Sequence, residues 1–213
     1  MELVFLAKIH KSEYIIDMYE NEYLYFSPLK DFRGEKDEEG RFDPRELNVK
    51  NKQIPTLAIK IGEKSYELDK MLDKFSCQLM ANLEEPKINC CSLHWLEIEP
   101  GKPPYTINNE LLRMGDKVLL IVDGVLFFKI LDHSLEKNGF VCQRGKVRYY
   151  DPSIYNGELT LHHKDIKFKF QNEYRILINS PNNEPAKIYL PGLKQISYIT
   201  DSKDLFELNI DIK

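Results

Sequence analysis

What this sequence lacks removes several chemistries at once. Four cysteines, Cys77, Cys90, Cys91 and Cys142, form no CxxC pair and sit at no zinc-ligand spacing from a histidine. A zinc site and a disulfide framework are both disfavoured. Adjacent Cys90 and Cys91 point to opposite faces of any strand that carries them, so buried, inert thiols are expected. The histidines His10, His94, His133, His162 and His163 form no HExxH motif, and no metal is expected. GxGxxG after a strand, the P-loop and GxSxG are all missing, which disfavours Rossmann, kinase and α/β-hydrolase functions. No local signature supports a Cys–His nucleophile pair.

Positive charge is not in excess either. Thirty Lys+Arg against 34 Asp+Glu give a net charge of −4, so no global field favours nucleic acid or a membrane surface. The longest apolar run, "VLLIVDGVLFFKIL", is interrupted by Asp123 and Gly124 and falls short of the ~18 residues needed to span a bilayer. The opening "MELVFLAKIHKSEYIID" lacks the cationic leader and cleavage site of a signal peptide. A cytoplasmic protein without membrane contact is expected.

What is present reads as one α+β domain over 1–213, with enough apolar residues (42%) for a single core. "ELVFLAKI", "EYLYFSPL", "KINCCSLHWLEI", "KVLLIVD", "GKVRYYD", "EYRILINS", "AKIYLPG" and "QISYIT" predict strands, and "ELNIDIK" a closing one. "TLAIKIGEKSYEL" predicts a hairpin around Gly62. Ser12 is placed to cap a short helix that turns Ile15, Ile16 and Tyr19 inward. A second helix follows Asp123 or Gly124 and ends at Asn138-Gly139. Between Asp31 and Lys52 lies a long loop with seven acids and six bases. It reads as a solvated surface, or as a binding loop whose arginines fork onto phosphates.

Between Lys129 and Arg175 nine bases face six acids, interleaved with Tyr149, Tyr150, Phe168, Phe170 and Tyr174. Such a mixture suits an amphipathic sheet with wet lysines, or a surface that holds bases and phosphates. "KFQNEYRILINS" poses the sharpest question. Glu173 and Arg175 share a strand face because side chains repeat every two residues. They are either a solvated edge pair worth about 0–1 kcal/mol or a rigidly held functional carboxylate.

"LYFSPLKDFRGEKDEEGRFDPRE", "MGDKVLLIVDGVLFFKIL", "GKVRYYD" and "KDIKFKFQNEYRI" together resemble a widespread bacterial family of uncharacterised, often defence-associated proteins. That family in turn looks like a distant relative of the ADP-ribosyltransferase fold. The resemblance implies a split, mixed or antiparallel sheet around an NAD cleft. It also implies a transferase, such as a toxin or antiphage effector, acting on a nucleic acid or a protein. It places Lys8 or His10 at the first-strand position, Tyr25 and Ser27 at the second, and Glu173 as the catalytic carboxylate. Arg33 and Arg175, with Lys8, are the expected phosphate contacts. A non-catalytic protein- or RNA-binding module on the same fold is the alternative. A metal-independent nuclease is a weaker third reading, since no clustered carboxylate pair recommends it.

Overall fold

The computed structural model describes residues 3–34, 41–72, 74–84, 86–98 and 107–207. In chain order its elements begin with β1 (Leu3–His10), α1 (Ser12–Glu20) and β2 (Tyr23–Pro28). After the charged loop come β3 (Asn48–Ile54), β4 (Ala58–Ile61), β5 (Lys64–Glu67), the one-turn α2 (Leu68–Met71) and β6 (Cys77–Asn82). The central part holds β7 (Ile88–Ile98), β8 (Lys117–Ile121) and α3 (Gly124–Lys137). Then follow β9 (Cys142–Lys146), β10 (Arg148–Tyr150), β11 (Gly157–Glu158), β12 (His163–Asp165), β13 (Glu173–Asn179), β14 (Ala186–Tyr189) and β15 (Ser197–Asp201).

The main sheet runs β14-β2-β7-β1-β8-β15, and β13 joins it between β7 and β9. Its strand pairs are all antiparallel, whereas β10 and β12 form a small parallel pair. Helices α1 and α3 cover one face. Ile15 and Met18 of α1 and Phe127, Leu131 and Leu135 of α3 join Leu6, Leu24, Phe26, Cys91, Leu93, Leu119 and Ile176 in the largest core cluster. The result is a mixed α+β fold, mostly antiparallel, in one compact domain.

The apolar strands appear where their sequences predict them, including Ile88–Trp95 and Tyr174–Ile178, and Val118–Val122 save that β8 ends one residue earlier, at Ile121. Gly62 takes φ +62° in the β4–β5 hairpin, a left-handed turn position that glycine adopts without steric cost. Asp123 caps α3 by accepting the Leu126 N–H at 2.9 Å, and Gly139 follows the helix at φ +71°. Three expectations need correction. Ser12 does not cap α1: its backbone N–H and hydroxyl both go to the Asp116 carboxylate. Ile16 is 46% exposed, because the inward stripe at helical spacing runs through Ile15, Met18 and Tyr19. The polar stretch to Lys52 is not loop throughout, since from Asn48 it is strand β3. Residues 208–213, nearly all of the expected closing strand, lie outside the described residues, as do 35–40 of the charged loop.

Gly115 fixes the wall beside His10. A Cβ there would lie 2.1 Å from the His10 carbonyl carbon and 2.3 Å from its oxygen. Backbone atoms cannot swing aside as a side-chain tip can. Gly115→Ala should therefore cost about 1–3 kcal/mol, in the range of overpacked sites. That lowers the melting midpoint by about 2–12 °C for a chain of this size. A calorimetric midpoint within a degree of wild type would show the approach to be looser than described.

Candidate functional site

β7 pairs with β1 only as far as Ala7 opposite His94, and β2 meets β7 at Ser27 opposite Cys90. Along the intervening stretch of β7, the two neighbours part. Lys8 Nζ reaches across this opening to the Ser92 carbonyl oxygen at 3.0 Å. The opening leads into a cavity of about 550 Å³, a size that holds a small molecule.

The floor of that cavity follows from strand register. Glu173 lies opposite His94, Arg175 opposite Ser92 and Leu177 opposite Cys90. Directly opposed residues share a face, so Ser92, His94, Glu173 and Arg175 all line the cavity. Tyr174, Ile176, Cys91 and Leu93 alternate to the other face and enter the main core. The two adjacent cysteines thus do point opposite ways. Both are buried and free, and burial pushes the Cys90 thiol up to about 12. That makes it a poor nucleophile.

Glu173 is gripped from several sides. Its Oε1 accepts from Ser92 Oγ at 2.5 Å and Arg175 Nε at 2.7 Å, while Oε2 accepts from Lys164 Nζ at 3.0 Å. Arg175 forks onto both oxygens of Glu46 at 2.7 and 2.8 Å, and its Nη1 also donates to the Leu161 carbonyl at 2.6 Å. Lys164 donates a further bond to Gln171 Oε1 at 2.7 Å. None of these four charged side chains is more than 5% exposed. Burial by itself raises the Glu173 carboxyl. The Arg175 and Lys164 charges, with hydrogen bonds from Arg175 and Ser92, reverse that and hold it well below the usual carboxylate range. Burial likewise opposes the Arg175 charge, but Glu173 and Glu46 outweigh it and stabilise the cation. Burial lowers His94, whose Nδ1 donates to the Gln171 carbonyl oxygen at 2.5 Å.

The strand-edge reading of Glu173 and Arg175 is overturned. β13 has β7 on one side and β9 on the other, and both side chains are enclosed. Lys8 and His10 on β1, and Tyr25 and Ser27 on β2, line the same cavity as Glu173. Tyr25 stands at the mouth, 38% exposed. Arg33 does not join them: it is exposed and outside the lining. Arg41 of the same loop does line the cavity, meeting His10 Nε2 at 2.6 Å and donating to the Met114 carbonyl oxygen. Arg175 lines the floor, but four of its hydrogen bonds go to Glu46, Glu173 and Leu161. Little of its fork is left for a phosphate.

Three site residues carry no signal of their own in the sequence. Glu46 sits among six other loop acids, Lys164 among wet lysines, and Ser92 inside an apolar strand. Only Ser92 was recoverable in principle, as the residue two positions before His94 on the same face. No protein family, characterised protein or solved structure matches the chain. No helix among the described residues is long and apolar enough to cross a membrane, and no group of their side chains is arranged to hold a metal ion.

Proposed function

We propose that this protein is an ADP-ribosyltransferase-like enzyme that takes NAD into the cavity between β1 and β2. One observation carries the reading. The neighbouring strands β1 and β2 and the distant β13 bring Lys8 and His10, Tyr25 and Ser27, and Glu173 to a single cavity. The reaction breaks the bond between the ribose anomeric carbon and the nicotinamide nitrogen. The bonding electrons leave with nicotinamide, and the ribose carbon becomes cationic, as in glycoside hydrolysis. An acceptor oxygen or nitrogen then bonds to that carbon and loses its proton to solvent. A fixed carboxylate such as Glu173 stabilises the developing cation and hydrogen-bonds a ribose hydroxyl. Tyr25 offers a flat face to the nicotinamide ring at the mouth, with Ser27 beside it. Lys8 and His10 supply polar contacts for the diphosphate. Arg33 and Arg175 drop out of that role, the first by its position and the second by its partners. The test is nicotinamide release from NAD by the purified protein, present in wild type and lost in folded Glu173→Gln.

The binding-module reading also has an observation in its favour. Both oxygens of Glu173 are engaged by protein groups, as in a purely structural ion cluster. On that reading the exposed bases carry the function, in contact with RNA or a protein. Arg148, Lys167 and Lys169 are exposed, whereas Arg144 is committed to Asp132. Reversing charge at Arg148 and Lys169 should weaken RNA binding and reduce its salt dependence by about one unit of log–log slope per lost phosphate contact. Filter binding at several salt concentrations measures this, and an unchanged slope removes RNA as the partner.

A further inference from the structure

The floor of the cavity is charge-balanced by a residue that the loop delivers. Glu173 and Arg175 come from β13 and Lys164 from β12, but Glu46 lies 129 positions before its partner Arg175. It reaches the floor from the segment between Phe42 and β3. Two backbone features show that this delivery is held in place. Leu47, the next residue, adopts φ +72°, an unfavourable region for a bulky side chain that persists only where surroundings enforce it. Its side chain is buried with Leu29, Cys90 and Leu177, and its carbonyl accepts the Leu83 N–H at 2.9 Å.

We propose that Glu46 is a positioning residue for Glu173, acting as the counter-charge that keeps Arg175 from cancelling the carboxylate presented to the substrate. With Glu46 in place the four buried groups sum to zero, two carboxylates against one guanidinium and one ammonium. The nearby Arg45 and Asp165 pair with each other at 3.7 Å and leave that balance unchanged. Asp43, also buried nearby, has its carboxyl pushed up by burial and accepts the Arg45 backbone N–H at 2.9 Å. Lys8, which also lines the cavity, donates to the Ser92 carbonyl oxygen at 3.0 Å. Without the Glu46 charge the floor becomes one unit more positive, with the freed guanidinium fork next to Glu173. A more positive floor opposes both the cationic nicotinamide ring of NAD and the cationic ribose carbon that forms as the ring leaves.

This inference rests on the transferase reading, and the variants separate the two. Glu46→Gln keeps volume and an acceptor oxygen but removes the charge. Nicotinamide release by the full chain should fall on the order of 10²-fold. Adding Lys164→Met removes one positive charge and restores the balance. The double variant should recover at least ten times the turnover of Glu46→Gln, although more of the network is gone. A merely structural role predicts the reverse, with the double variant worse than either single one. Circular dichroism melts establish which variants are folded. Should Glu46→Gln not fold, the folded double variant is compared with wild type directly, and turnover within about tenfold of wild type is expected. Wild-type turnover in folded Glu46→Gln, or no turnover in a folded double variant, overturns the role of Glu46 while the transferase reading stands. Absence of nicotinamide release from wild type itself ends both.

Discussion

Glu173→Gln should abolish nicotinamide release, by a factor on the order of 10² or more, while the protein stays folded. Glutamine keeps the volume of the side chain and can still accept from Ser92 and Arg175. What it loses is the full negative charge that, on the transferase reading, faces the ribose carbon as nicotinamide leaves. The scale is that of removing one preorganised stabilising group. NAD affinity should change far less, because the charge matters most when the cation forms, so kcat should move more than KM. High-performance liquid chromatography of NAD and nicotinamide, alongside a melting curve, makes the measurement. Turnover like that of wild type in a folded variant would show that the carboxylate is not catalytic.

The largest effect on stability should come from Arg175. Arg175→Met leaves Glu46 and Glu173 buried without the cation that both share. Breaking a buried ion pair from one side costs about 3–5 kcal/mol. For a chain of this length that is about 6–20 °C in melting midpoint. The pH dependence gives a second signature. In wild type the Glu173 carboxyl is held below its unfolded range. Its contribution is therefore present above the unfolded carboxylate pKa and lost as pH falls through the lower folded value. In Arg175→Met the Arg175 charge is gone and Lys164 is left to oppose burial, so the Glu173 carboxyl lies higher than in wild type. The variant should then lose less stability than wild type as pH falls through the unfolded carboxylate pKa, from about 5 towards about 3. A difference between the two proteins that stays constant over that interval would contradict this account.

Much of the architecture was legible in the sequence because strands with one or both faces in a core must be written in apolar residues. β7, β8 and β13 are such strands, and the facing of Glu173 and Arg175 followed from their spacing alone. What stayed hidden was how deep they lie. The strand that covers β13 on its second side is β9, "CQRGK", which has no apolar alternation to announce it. Without that cover, β13 reads as equally suited to an edge. β3 escaped for a related reason. Its Asn51 and Gln53, with Gln78 of β6, donate side-chain amides to the carbonyls of Pro152 and Tyr155. Side-chain amides bonded to a loop replace the apolar pattern that marks most strands. The charges of the floor were the least visible. A buried lysine and a solvated one have the same letter, and only the meeting of four separated segments distinguishes Lys164 from its exposed neighbours.

The way β7 is shared among its neighbours also sets an order of events during synthesis. β1 and β2 are made early, yet each must wait for β7, more than sixty residues later than β2, before it has a backbone partner in that strand. The floor waits longer still, until Lys164 and β13 have left the ribosome. Pairings of such long separation close slowly, because loop entropy is lost before contacts repay it. A chain arrested before residue 173 holds Glu46 and Ser92 but neither Glu173 nor Arg175. Such a truncated product has no cavity floor, so incomplete translation would leave a fragment without the site.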